Sequence, residues 1–281
     1  MKLSIIIFSV FTWNFFTVLG QELEPLVLAE RIFNKEDMPN MDAYLTEDYN
    51  GPLGLDFKKG VTPRFILLEQ KKTSAVVRMT LLDSLAEGID TYLYFQKDSI
   101  WKVKAFRALA NTGSIQELRN SLEHISKKEV RRIIKYHKRR GDPDSYAMFS
   151  SMEDYNFQLG NARLILELDQ NIAKHFLANQ DEFERLKRMA LEQVQKEKSA
   201  SQGKINLIEN LKPSYEKLFI SAVSTGGPNF KNCINFLIGG IVDNAVGYLY
   251  VEDTKDLPVM NPENVIMLKK ITGAWYMYKT T

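Results

Sequence analysis

The 281-residue chain is 44% hydrophobic and 26% charged, proportions of an ordinary globular protein that exclude wholesale disorder and collagen-like structure. Its 37 Lys+Arg against 35 Asp+Glu leave a net charge of +2, so global charge does not point to nucleic acid. A single cysteine, Cys233, rules out an intrachain disulfide and a thiolate-rich metal cluster.

Residues 1–20 carry an export pattern: Lys2, an apolar run from Leu3 to Phe11 broken only by Ser4 and Ser9, and Val18-Leu19-Gly20 before the polar Gln21-Glu22. The run barely reaches the roughly 20 apolar residues that span a bilayer. A cleaved signal peptide is therefore expected rather than an anchor. No cysteine follows the run, which argues against a lipid-modified N-terminus, and no later stretch is long enough to form a transmembrane segment. There is also no Asn-x-Ser/Thr sequon. With the missing disulfides, this suits the periplasm or exterior of a Gram-negative bacterium.

Apolar spacing predicts a helix over 23–36, with Leu26, Ala29 and Phe33 on one face. A breaker-rich loop through Pro39, Asn50-Gly51-Pro52 and Gly54 follows. Strands are expected at 75–82, 91–96 and 100–108, the last two joined by a turn at Lys97-Asp98-Ser99. In the last strand Trp101, Val103 and Ala105 should share one face, and Lys102 and Lys104 the other.

The middle reads as helical. Ser114-x-x-Glu117 and Ser126-x-x-Glu129 match capping boxes, and Val130, Ile133, Ile134 and His137 form the apolar stripe of the second helix. Gly141-Asp142-Pro143 stops it. Ala162, Leu164, Leu166 and Leu168 alternate as in a strand, and Asp169 is placed to cap the helix that follows. That helix breaks near Asn179 and resumes from Asp181 to Lys198, burying Phe183, Leu186, Ala190 and Val194. Ser199 to Gly203 is a polar linker.

Strands dominate the last third, at 218–223, 234–238, 246–251, 265–271 and 274–279, with a tight turn at Thr272-Gly273. The fold class expected is α+β: an N-terminal helix with a curved antiparallel sheet, a helical middle, and a second antiparallel-sheet module. The divisions are 1–20 signal peptide, 21–110 first module, 111–160 helical connector and 161–281 C-terminal module. Tyr92-Leu93-Tyr94-Phe95 echoes Tyr248-Leu249-Tyr250-Val251, and each half ends on a strand opened by a tryptophan, Trp101 or Trp275. Two unrelated sheets that end alike are preferred over a duplication.

On Ala29 to Phe33, Tyr92 to Phe95 and Trp101-Lys102-Val103, the run from Leu26 to Ala108 resembles the helix-plus-sheet cone of nuclear-transport-factor-like and cystatin-like modules. The C-terminal region, with Gly247-Tyr248 and Trp275-Tyr276-Met277-Tyr278, is similar to modules of exported bacterial proteins of unknown function. The resemblance implies a sheet with a concave face able to hold a ligand, and it supplies no activity. Enzymes of the cone fold place an Asp, Tyr or His in the pocket, yet residues 26–108 contain no histidine.

Arg78, Tyr92 and Arg107 lie in the strands of that module. They either line the concavity and bind a carboxylate or similar anion or, the preferred reading, face solvent from a half-exposed sheet. His124, His137 and His175 show no zinc spacing, so no metal is expected, and no cofactor motif is present. Cys233 reads as a buried structural thiol. Residues 127–140 hold eight Lys or Arg against Glu129, a segment charge of +7. Arg131, Arg132, Lys135, Lys138 and Arg139 on that helix are candidates for binding an anionic surface; a solvated face neutralised by acids elsewhere is the preferred alternative. Nucleic acid is not expected as a partner.

The function read from the sequence is thus an exported, non-enzymatic binding protein of the bacterial envelope, its partner an unknown small molecule, an envelope protein or an anionic surface. The alternative is a small-molecule enzyme of the cone type using Asp90 or Tyr92, and a third reading is a purely structural envelope component.

Overall fold

The computed structural model describes residues 23–34, 38–85, 88–140, 149–197, 206–227 and 229–281. The export segment, the Gly141-Asp142-Pro143 stop and the 199–203 linker lie outside them. The class is α+β, with two antiparallel sheets and a helical middle.

Helix α1 (Pro25–Phe33) opens on a proline, where the missing N–H would have no intrahelical partner. Its buried face, Leu28, Ala29, Ile32 and Phe33, lies on a four-stranded sheet whose strands follow chain order: β1 (Thr62–Gln70), β2 (Ser74–Leu82), β3 (Gly88–Lys97) and β4 (Trp101–Ala108). Ala75, Val77, Met79, Leu93, Phe95, Trp101 and Val103 complete this small core. Strand β1 was not expected: Pro63, Arg64 and Glu69 obscure its period, as suits an edge strand.

One expectation for β4 is corrected. Pairing shifts register between Tyr94 and Phe95, so that Phe95 faces Val103 while Tyr94 faces Ala105. Lys104 is the extra residue of a bulge. Ala105 therefore leaves the face of Trp101 and Val103 and joins Val76, Tyr92 and Tyr94 on the opposite side of the sheet. The same bulge turns Arg107 to that side, level with Tyr92.

Helices α2 (Gly113–His124), α3 (Lys127–Arg140) and α4 (Met152–Leu166) form the middle. Ser126 Oγ caps α3 by accepting from the Glu129 amide at 3.2 Å. The Ser114 box is not formed, because α2 already begins at Gly113. The strand expected at 162–168 is the last turn of α4 and its exit. Ser151 caps α4, and Ile165 is buried between Leu164 and the half-buried Leu166, so the burial period is helical. Gly160 continues this helix because the Phe219 ring occupies the space a Cβ would need. The expected boundary at 160/161 falls inside α4.

Helices α5 (Asp169–Ala178) and α6 (Gln180–Glu197) break at Asn179, as expected. Among the described residues the ion pairs on α6 fall at i,i+3, Glu182–Arg185 and Glu184–Lys187. The second sheet begins with β5 (Asn206–Leu207) and, after the short helix α7 (Lys212–Tyr215), continues with β6 (Ala222–Thr225), β7 (Ile234–Ile241), β8 (Asn244–Tyr250), β9 (Val265–Thr272) and β10 (Trp275–Thr280), in the order 5-6-7-8-10-9. The strand expected from Leu218 starts only at Ala222, since Phe219 takes a left-handed φ of 60°. Gly273, at φ 51°, makes the predicted tight turn between β9 and β10. Strand β10 inserts between β8 and β9, whereas the first sheet is a simple meander, so the halves differ in topology despite their sequence echo.

The main core lies between the sheets. Phe176 of α5 and Phe183 of α6 pack against Phe236, Tyr248 and Trp275 of the second sheet, ring centroids 4.7 to 6.0 Å apart. Val76, Tyr92, Tyr94 and Ala105 of the first sheet close the same cluster. Tyr94 donates its hydroxyl to the carbonyls of Val265 and Ile266, at 3.2 and 3.0 Å. The sheet face expected to be an open concavity is therefore covered by the other half of the chain.

Candidate functional site

Arg78, Tyr92 and Arg107 form one cross-strand row: Arg78 is level with Tyr92, and Tyr92 with Arg107. The preferred solvent-facing placement is corrected for the first two. Tyr92 is 0% and Arg78 6% exposed, because the row faces the second half and not water. Arg107, half-buried, donates from Nε to the Pro262 carbonyl at 2.6 Å and ties the halves together.

Around Arg78 and Tyr92 lies a buried network that draws on four separate elements. Tyr92 donates to both carboxylate oxygens of Asp169, the first residue of α5, at 2.8 and 3.0 Å. Lys279 of β10 pairs with Asp169 at 2.9 Å. Asp90 of β3 accepts from the Asp169 amide at 2.6 Å and from the Thr80 hydroxyl, so a carboxylate of the first sheet caps α5 from outside. Arg78 stands 3.7 Å from Asp90 and 3.6 Å from Asp169, and its buried Nε and Nη1 donate to no acceptor. Two cations and two carboxylates balance.

Burial alone would raise the pKa of Asp169, but Lys279, then Tyr92 and Arg78, hold it below the usual carboxylate range. Burial, followed by the Asp169 and Asp90 charges, pushes the Tyr92 phenol far above its ordinary value. Asp90 and Tyr92, the groups named for acid–base chemistry, spend these hydrogen bonds inside the protein. Their arrangement joins two sheets and a helix; it presents no reacting group to a substrate.

The local sequence marks Asp169 as a helix cap and gives Lys279 no role of its own. A usable signal existed in the sequence: Lys279 falls in step with the inward-facing Trp275 and Met277 of a strand paired on both sides, where an ammonium needs a partner.

The basic helix builds a second locus. Val130, Ile133 and Ile134 pack with Leu122 of α2, with Phe149 just before α4, and with Met152, Tyr155 and Leu159 of α4, as the predicted stripe requires. The opposite flank is exposed. Arg131, Lys135, Lys138 and Arg139 recur at i, i+4, i+7 and i+8 and line a groove of about 480 Å³ with Ile134, Ser151, Met152 and Glu153. Among the described residues none of these four cations makes an ion pair within 4 Å. Arg132 lies off the groove and pairs with Glu129.

The N-terminus of α4 is already occupied: Ser151 Oγ accepts from the Asp154 amide at 3.0 Å, and Asp154 accepts from the Ser150 amide at 2.8 Å. The α3 side chains therefore set the charge of the groove. Among the described residues Glu153 is its one acid, held below the ordinary pKa by its own amide, by Ser151 and by Lys138.

The other candidates are structural. His175 is half-buried beside Phe219, with Nε2 3.1 Å from the Leu218 carbonyl, and burial lowers its pKa. His124 meets the Asn120 carbonyl through Nδ1. Cys233 is buried beneath the second sheet, and burial, then the Asp256 charge, pushes its thiol up to about 11. Among the described residues no group of three or more His, Cys, Asp or Glu is placed to hold a metal, and no helix is long and apolar enough to cross a membrane. No family model, no curated protein and no solved structure matches the chain.

Proposed function

We propose that the chain is an exported, non-enzymatic binding protein of a Gram-negative envelope, acting in the periplasm or at the cell exterior, that engages an anionic partner through the basic flank of α3. One observation carries the reading: Arg131, Lys135, Lys138 and Arg139 line a single open groove on a helix whose apolar stripe is anchored to α2 and α4. Charges presented on a fixed surface attract an anionic partner far more effectively than the same charges dispersed over the chain. The internal engagement of Asp90 and Tyr92 favours binding over the cone-enzyme alternative. One helix laid across a four-stranded meander supports the resemblance of the first module to nuclear-transport-factor-like and cystatin-like modules, which by itself supplies no activity.

Vesicle flotation tests the proposal. The full chain should float with vesicles containing phosphatidylglycerol, release from them as salt rises, and stay behind with pure phosphatidylcholine. Equal behaviour on both lipids overturns it.

A further inference from the structure

We propose that the groove between α3 and the start of α4 is a discrete site for the phosphate-bearing head of an anionic amphiphile. This rests on the anionic-partner reading above and narrows it from a charged surface to a one-to-one site.

The groove has two kinds of wall. Arg131, Lys135, Lys138 and Arg139 supply cations, two of them guanidinium forks suited to phosphate oxygens. Ile134 and Met152 supply apolar contact beside them. A free inorganic ion has no use for the apolar part, and an acidic polymer has little. A phosphate ester with the first methylenes of an acyl chain uses both. The volume, about 480 Å³, falls in the range of small-molecule sites. Glu153 places one carboxylate on the α4 side of the same groove, which directs the phosphate toward α3. Lys127 and Lys128 are exposed on the same helix and lie outside the groove, so position can be separated from total charge.

The experiment titrates the full chain with dihexanoyl-phosphatidylglycerol below its micelle concentration, followed by calorimetry. Parallel titrations use inorganic phosphate, dihexanoyl-phosphatidylcholine and a short poly-glutamate. The variants are K135E/K138E inside the groove, the charge-matched K127E/K128E outside it, and E153Q; unfolding curves establish that each is folded. The site predicts one-to-one binding of the anionic lipid, weakened about tenfold or more by K135E/K138E, as loss of charge-assisted hydrogen bonds implies. K127E/K128E should change it less than about threefold, and E153Q should tighten it by about two- to fivefold, the scale of one exposed charge.

Equal losses in the two double variants would overturn the discrete site while leaving the anionic-surface reading standing. Inorganic phosphate or poly-glutamate binding as tightly as the lipid would overturn the amphiphile. Failure of the wild-type chain to bind anionic vesicles at all would remove the underlying reading.

Discussion

Lys279 Nζ lies 2.9 Å from Asp169 Oδ1, joining strand β10, which lies between β8 and β9 in the second sheet, to the first residue of α5. Tyr92 reaches the same carboxylate from the first sheet, and one turn further along α5 Tyr248 of β8 donates to the Ile172 carbonyl at 2.8 Å. Helix α5 is thus held by a tyrosine from each sheet and by the ion pairs of Asp169 with Lys279 and Arg78, and Asp169 is one point at which the halves meet.

Removing that carboxylate leaves Lys279 and Arg78 buried with a single balancing charge, Asp90. Breaking a buried pair in this way costs about 3–5 kcal/mol. Asp169→Ala should therefore lose a large fraction of the roughly 5–15 kcal/mol of a typical domain in urea unfolding. Lys279→Met should cost less, because Asp169 keeps Tyr92 and Arg78. A cost below about 1 kcal/mol for D169A would show that the network does not hold the halves together.

The same carboxylate predicts a pH dependence. Its folded pKa is depressed relative to about 3.9 in an unfolded chain. Its contribution is then fully present above the unfolded value and disappears as pH falls through the folded one. The urea midpoint of the wild type should fall between pH 6 and pH 3 by more than that of Asp169→Asn. Parallel profiles for the two proteins would contradict the assignment.

Cys233 is predicted to be inert. Its thiol is buried and pushed up to about 11, so almost no thiolate is present near neutrality. A maleimide at pH 7.5 should label the folded chain slowly and the urea-unfolded chain within minutes. Rapid labelling of the folded chain would mean that Cys233 lies in a more open, electropositive setting.

Legibility in the sequence followed local chemistry. Strands β2 to β4, the break at Asn179 and the Gly273 turn are written in period and turn residues, and all appear where expected. What failed depended on distant partners. Ala105 changed faces because β4 bulges against β3, which no local pattern announces. Residues 162–168 alternate in apolarity, yet Ser151, eleven residues before the first of them, had already started a helix that runs on to Leu166. Arg78 and Tyr92 were expected in strands of the first module, but their shared row and their burial come from strand register and from α5 and β10, far along the chain. The basic flank of α3 was legible because helical period alone assembles it; that it lines a groove with Met152 and Glu153 required the fold, and so did the loss of Arg132 to Glu129.

The most direct test reverses three groove cations, Arg131, Lys135 and Lys138, to glutamate and measures flotation on phosphatidylglycerol vesicles together with the melting temperature. These side chains are exposed on α3, where substitutions alter stability by only about 0.5 kcal/mol. The account predicts that vesicle binding is abolished while the melting temperature moves by no more than about 3 °C. Undiminished binding by the folded variant would contradict it.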